Sequence, residues 1–169
     1  MAEVERLMRA SAITIAECDP RHPHARFCIG AYFSELAERF DGGFDPAQTI
    51  SADDAELTRP AGLLLVATMH AEPVGCGALK FRGAEPAEIK RMWVARSVRG
   101  LGLGRRLVEN LEQRAAVGGA LRVRLETNRS LTEAIRLYRS FGYREVAAFN
   151  DEPYAHHWFE KNLSESGSD

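Results

Sequence analysis

The chain has 169 residues, with 22 Lys and Arg against 24 Asp and Glu, for a net charge of −2. That length suits one domain able to bury a real core, and the charge balance gives no reason to expect nucleic acid as a partner. The three cysteines, Cys18, Cys28 and Cys76, form no Cys-x-x-Cys pair, which argues against a zinc site or a disulfide framework. No apolar run approaches membrane-spanning length. The N-terminal MAEVERLMRA mixes acids and bases without the apolar core of a signal peptide, so a cytoplasmic protein that engages no membrane is the expectation.

In chain order, residues 12–17 alternate as a first strand. Asp19-Pro20-Arg21-His22-Pro23 reads as a turn. From about His24, Ile29, Tyr32, Phe33, Leu36 and Phe40 recur at helical spacing, and Asp41-Gly42-Gly43 ends that helix. Residues 44–60 read as a polar loop with one short helix around Asp53 to Leu57; loops of this length in compact domains are usually functional. Residues 62–69 and 73–81 are strands joined closely enough to form an antiparallel hairpin. Gly75 and Gly77 leave one face of the second strand bare, which predicts close packing there. A strand over 88–94 leads through Arg99-Gly100-Leu101-Gly102-Leu103-Gly104 into a helix whose buried face is Leu103, Leu107, Leu111 and Ala115, ended by Gly118-Gly119. A strand at 121–127 follows, then a helix carrying Leu131, Ala134, Ile135 and Tyr138 on one face. Strands at 143–149 and 154–161 complete the chain, and residues 164–169 read as a disordered tail.

The order predicts one domain over 1–163 of mixed α/β class, with helices on both faces of the sheet. The strand at 88–94, the glycine turn, its helix and the strand at 121–127 form a βαβ unit with parallel strands and a right-handed crossover. Backbone N–H groups at a helix start lack intrahelical partners and sit at the positive end of the dipole, so a glycine turn there suits a phosphate or pyrophosphate. Lys90, Arg91, Arg96, Arg99, Arg105 and Arg106 make the stretch cationic. The G-x-x-x-x-G-K-[ST] phosphate cradle is absent. A Rossmann site would need a small residue where Leu107 or Arg105 stands, and no second mononucleotide half follows.

Arg99-Gly100-Leu101-Gly102-Leu103-Gly104 resembles the [Q/R]-x-x-G-x-[G/A] motif of the GNAT family of N-acetyltransferases. Leu137-Tyr138-Arg139-Ser140-Phe141-Gly142-Tyr143 is similar to that family's L-Y-x-x-x-G-[FY] segment. Two motifs at this separation and in this order are specific, and the resemblance spans roughly residues 13–163. It implies a GNAT-like fold: a mixed, mostly antiparallel sheet of about seven strands with a splayed parallel pair. It also implies acetyl-coenzyme A as co-substrate, its pyrophosphate on the amides of Arg99 to Arg105 and its pantetheine arm along Met92, Trp93 and Val94. Tyr138 matches the tyrosine that approaches the coenzyme sulfur. Many members carry a coenzyme-binding asparagine seven residues before that tyrosine, where this chain has Leu131; Asn128 is near but out of register.

Acetylating an amine needs a neutral nitrogen, whereas a lysine-type amine has a pKa of about 10.4. A base must therefore remove a proton, and an acid must assist the departing thiolate. Tyr138 is the candidate acid. Glu88 and Glu126 are the candidate bases, with Glu88 preferred on a face shared with Lys90, Met92 and Val94, and with a route lacking a direct base left open. For the acceptor amine, whether small molecule, amino acid or peptide, the candidates are Tyr32, Arg39, Phe40, Phe44, Asn150 and Tyr154, with Glu35, Glu38, His156 and His157 nearby in the chain. Acids on the first helix would favour a cationic amine, and Arg39 one bearing a carboxylate. The histidine pairs lack a carboxylate or cysteine to complete a metal set. Direct transfer in a ternary complex is the favoured reading, and a non-catalytic coenzyme A sensor is the alternative. A homodimer paired through the last strands is compatible with the sequence.

Overall fold

The computed structural model describes residues 2–83 and 85–163; the expected tail at 164–169 lies outside the described residues. A sheet of seven strands runs in the order β1-β2-β3-β4-β5-β7-β6. Its members are β1 (Ile13–Glu17), β2 (Gly62–Met69), β3 (Glu72–Lys80), β4 (Ala87–Val94), β5 (Arg122–Thr127), β6 (Arg144–Val146) and β7 (His157–Asn162). Every pairing is antiparallel except β4 with β5. The last two strands are shorter than the sequence suggests. Tyr154 lies outside β7, its carbonyl accepting from Asn128 at 2.7 Å.

Helix α1 (Ala2–Ser11) has no counterpart in the sequence reading, and the reason is physical: none of its residues is buried, and its apolar Val4, Leu7 and Met8 stay exposed, so no core contact marks it. Its signals are electrostatic instead, with Glu3 and Glu5 in the first turn and Arg9 in the last. Helix α2 (Pro23–Arg39) starts where a helix should, with proline in its first turn and the His22 ring accepting from the His24 N–H. Helices α3 (Leu103–Val117) and α4 (Thr132–Ser140) follow their expected bounds. The expected short helix near Asp53 is a single turn closed by the Leu57 N–H on Asp53 O, and Leu57 is buried beneath it.

Two cores sandwich the sheet. Leu103, Leu107, Leu111 and Ala115 of α3 pack with Leu63, Leu65, Leu79, Ile89 and Phe159 on one face. Ala25 and Cys28 of α2 pack with Leu64, Val66, Cys76 and Trp93 on the other. Each fully buried leucine contributes about 1.5–3 kcal/mol of transfer free energy. The bare glycines of β3 let α3 approach. A Cβ on Gly77 would sit 2.7 Å from the Met92 sulfur and 3.0 Å from Leu111, and one on Gly75 would sit 2.8 Å from Leu103.

The decisive irregularity is in β4. Cys76 of β3 pairs with Trp93 and Ala78 with Lys90, so Arg91 and Met92 together face Gly77, and Arg91 takes φ 56°. That is a β-bulge. It overturns the simple alternation expected for this strand. Glu88 and Lys90 lie on the Trp93 side, whereas Met92 and Val94 pack into the α3 core. Pairing with β5 ends before the bulge is reached, since only Ala87 and Glu88 have β5 partners. Beyond them the parallel strands diverge.

The β2–β3 hairpin turns on His70 and Ala71, with φ of 51° and 65°. Left-handed backbone is costly for residues with a Cβ, and such tight hairpins favour Asn-Gly. Ala71→Gly is expected to raise stability by roughly 0.5–1 kcal/mol and the thermal midpoint by about 1–4 °C; thermal unfolding followed by circular dichroism measures it.

Candidate active site

β4 leads through a short 3-10 turn (Arg96–Val98) to Gly102, which caps α3 in the left-handed conformation, φ 78°. Gly100 has φ 84°, and a Cβ on either glycine would meet nothing within 4 Å. The turn is therefore open outward, with backbone that L side chains rarely adopt. Arg106 N–H bonds Gly102 O at 3.2 Å. The amides of Leu103, Gly104 and Arg105 come before that first helical bond and have no intrahelical acceptor. No acidic residue stands in the first turn of α3, so these amides suit an anion.

Its cationic surround is narrower than the sequence implies. Arg99 reaches Glu35 at 2.6 Å, Arg96 reaches Glu38 at 3.3 Å, and Arg105 lies 4.9 Å over the Phe141 ring. Arg106 is structural, donating to Ala10 O at 3.2 Å and Ile13 O at 2.8 Å and so tying α1 to α3. Lys90 and Arg91 belong to a different cavity.

The turn forms one wall of a cavity of about 310 Å³, bounded by Met92, Trp93 and Val94 of β4 and by Leu131, Ala134 and Leu137 beside α4. Arg99, Gly100, Gly102, Leu103, Gly104, Arg105 and Tyr138 also line it. Leu101 does not; it is 6% exposed and packs into the α3 core. Asn128 does not either. Its amide is taken up by Tyr154 O and the Ser130 N–H, and it faces a second, smaller cavity.

That second cavity, about 70 Å³, meets the first at Tyr32, Leu36 and Leu131, which line both. Its walls are Phe40, Phe44 and Tyr154 on one side and Lys90, Arg91, Glu126 and Glu152 on the other. Loop 40–61 roofs it. Glu152 accepts from Thr49 Oγ1 and from the Ile50 N–H at 2.7 Å. Lys80 holds the far end of the loop through Glu56 at 2.7 Å and Ser51 O at 3.0 Å. Burial raises the Glu56 carboxyl, but its bonds with Lys80 and Ser51 prevail and bring it down to about 2.

Glu88 and Glu126 have different surroundings. Glu88 is 2% exposed, lines neither cavity, and is held by Arg82 at 2.7 Å, Arg124 at 2.9 Å and Lys90 at 3.5 Å. Burial pushes its carboxyl up, yet the Arg124 hydrogen bond and the charges of Lys90 and Arg82 outweigh that and hold it below its ordinary value. So caged, it lies outside both cavities, whereas Glu126 lines the second. One oxygen of Glu126 pairs with Lys90, and the other, Oε2, is buried without a partner. Tyr138 is 4% exposed; burial raises its phenol well above the ordinary value, with Tyr32 and Glu126 adding to the effect. Burial likewise pushes Tyr32 up to about 12, and the charges of Arg91, Glu126 and Glu152 act on it. Both hydroxyls therefore stay neutral donors at physiological pH, within the electrostatic reach of Glu126.

Of the expected acceptor residues, Tyr32, Phe40, Phe44 and Tyr154 line the second cavity. Arg39 is diverted: it pairs with Glu133, donates to Ser130 O at 2.7 Å and lies 3.7 Å from Glu35, clasping α2 to α4. Asn150 accepts from the Trp158 indole at 2.9 Å. Glu35 lines the first cavity and Glu38 pairs outside it. His156 accepts from the Arg129 N–H at 3.1 Å, and His157 meets Glu145 at 2.9 Å. No group of three or more His, Cys, Asp or Glu able to hold a metal ion occurs among the described residues, and no helix there is long and apolar enough to cross a membrane. The places of Lys90, Arg91 and Glu152 in the lining of the second cavity escaped the sequence reading. The available signal was two adjacent cations inside an otherwise buried strand, where alternation cannot expose both.

The profile of the acetyltransferase (GNAT) family matches residues 30–143. An IAA acetyltransferase of Azospirillum brasilense is 34% identical over 122 residues, covering 71% of this chain and 78% of its own. The chain belongs to the GNAT family and is an acyltransferase. In fold it is similar to a GNAT-family acetyltransferase from Staphylococcus aureus, with a TM-score of 0.75 at 18% identity over 90% of this chain and 99% of that one. It is also similar to a GNAT-family acetyltransferase from Elizabethkingia anophelis solved with acetyl-CoA bound, with a TM-score of 0.60 at 19% identity over 89% and 98% of the two chains.

Lys90 joins two buried carboxylates, and removing one partner of such a set leaves uncompensated charge. Lys90→Met is expected to destabilise the fold by about 3–5 kcal/mol, read as a lower urea midpoint at unchanged slope.

Proposed function

We propose that the protein transfers an acetyl group from acetyl-coenzyme A directly to a primary amine, with both substrates bound together. The observation that carries this reading is the junction of the two cavities. One has a helix N-terminus and the freed side of β4, the other a buried carboxylate with an unused oxygen, and they share a wall at Tyr32, Leu36 and Leu131.

The residues present fit the coenzyme. The first-turn amides of α3, with Arg99 and Arg105, would hold its pyrophosphate. Past the bulge, the side of β4 turned from β3 has no β5 partner and can pair with an extended amide-bearing arm. Leu131, Ala134 and Leu137 supply apolar wall where many relatives use an asparagine. The coenzyme contributes an activated acetyl thioester. Glu126 Oε2 would take one proton of the incoming ammonium, which frees the nitrogen lone pair to form the amide bond as the carbon–sulfur bond breaks. The nitrogen would then give up a second proton, which ends on the departing thiolate to give the free thiol. Tyr138 donates a hydrogen bond to the departing sulfur.

Calorimetric titration with acetyl-coenzyme A should give micromolar binding that disappears in a folded Gly102→Glu variant, whose side chain brings a negative charge to the anion site. No binding by the wild type would refute the reading. Glu126→Gln should lower turnover by about 10²–10⁴ near neutral pH. The deficit should shrink as pH rises, because the free amine then forms without help; a deficit unchanged across the pH–rate profile would remove Glu126 from proton transfer.

A further inference from the structure

The acceptor cavity contains two unsatisfied groups of opposite character. Glu126, whose side chain is 8% exposed, spends one oxygen on Lys90 and leaves Oε2 buried and unpaired. Arg91, on the bulge, has no carboxylate within ion-pairing distance among the described residues. Its Nε is buried without a partner, and a terminal nitrogen makes only a 3.4 Å contact with Ile50 O. The guanidinium rests 5.1 Å from the Phe33 ring centroid. A ring face supports a cation but does not satisfy its N–H donors. The bulge sets this up. Arg91 holds φ 56°, a conformation uncommon outside glycine, and local strain of this kind gathers at functional positions.

Burying a donor and an acceptor unpaired is unfavourable, and a ligand bearing the complementary groups relieves both. An amine supplies the donor that Glu126 Oε2 lacks, and a carboxylate supplies the paired acceptor that suits a guanidinium. Lys90 cannot take the carboxylate role, because Glu126 and Glu88 already hold it. Nor can Arg39, which is spent on Glu133 and Ser130. Size adds a limit: the cavity offers about 70 Å³ against about 310 Å³ for the first, so it admits a compact head group. Phe40, Phe44 and Tyr154 give that head group an apolar flank.

Resting on the transferase reading above, we infer that the acceptor is a small zwitterionic amine of the free amino-acid type, its carboxylate on Arg91 and its amine on Glu126. Arg91 is then the residue that sets specificity, selecting amines by charge without touching the reacting nitrogen.

The test measures thiol release from acetyl-coenzyme A with matched acceptors: alanine against ethylamine, and phenylalanine against phenylalaninamide and phenethylamine. The carboxylate-bearing member of one set should have at least a tenfold higher kcat/KM than its uncharged counterparts. Arg91→Gln and the charge-retaining Arg91→Lys, each checked by circular dichroism, separate charge from fold. In the glutamine variant the preference should vanish through at least a tenfold rise in KM for the amino acids, and lysine should restore part of it. Calorimetry with coenzyme A present should show the preferred amino acid binding the wild type and not Arg91→Gln. Turnover of uncharged amines at rates equal to or above those of the amino acids overturns this inference alone. Binding of acetyl-coenzyme A with no turnover of any acceptor overturns the transferase reading together with it.

Discussion

Everything at the site depends on how little holds β4 to β5. The two strands pair only at Ala87 and Glu88, and the bulge at Arg91 turns the rest of β4 away. Parallel strands normally stay zipped because each residue adds evenly spaced hydrogen bonds. Here the zipper stops early, and the freed strand edge becomes a wall of the larger cavity. The same bulge swaps side-chain faces. It sends Met92 and Val94 into the α3 core, while Lys90 and Arg91 point to the acceptor side. One extra residue thus creates both the gap and the charge that lines it.

Where the strands part, buried charge replaces backbone pairing. Arg82 and Arg124 hold Glu88, Glu88 shares Lys90 with Glu126, and Glu126 reaches the cavity. Such a chain is weak as a source of stability, because each ion is costly to desolvate. What it does is fix the position of the terminal carboxylate. Glu126 is restrained through one oxygen and unoccupied at the other, the state a proton acceptor needs. Glu88, surrounded on all sides, is the anchor of that chain.

Much of this was legible in the amino-acid order. Helical spacing in Leu103, Leu107, Leu111 and Ala115, the glycine run before them and the clean alternation of residues 122–127 gave the βαβ unit, because each feature reflects local geometry. The coenzyme-side wall followed, since it is built from consecutive residues around one turn. Less was legible where tertiary contacts decide. Alternation misplaced Met92 and Val94 because a bulge leaves no mark in residue type when the residue at positive φ is an arginine. Glu88 looked the better candidate than Glu126 until the partners of each were known. Arg39 looked free until Glu133, 94 residues on, was found to occupy it. Helix α1 went unread because its short stripe of Val4, Leu7 and Met8 sits among charges and buries nothing.

The wall shared by the two cavities is made of two leucines and one tyrosine with a neutral hydroxyl. A thioester held behind such a wall faces little that can attack it. The carboxylates that line the larger cavity, Glu35 and Glu133, are ion-paired with Arg99 and Arg39. On the proposed reading, a water there meets no free carboxylate among the described residues, whereas an amine on Glu126 would bring its lone pair to the seam. On that reading, the partition between productive aminolysis and futile hydrolysis rests on the masonry between the chambers, and enlarging that seam, rather than weakening either binding site, would turn an acyltransferase built this way into a leaky thioesterase.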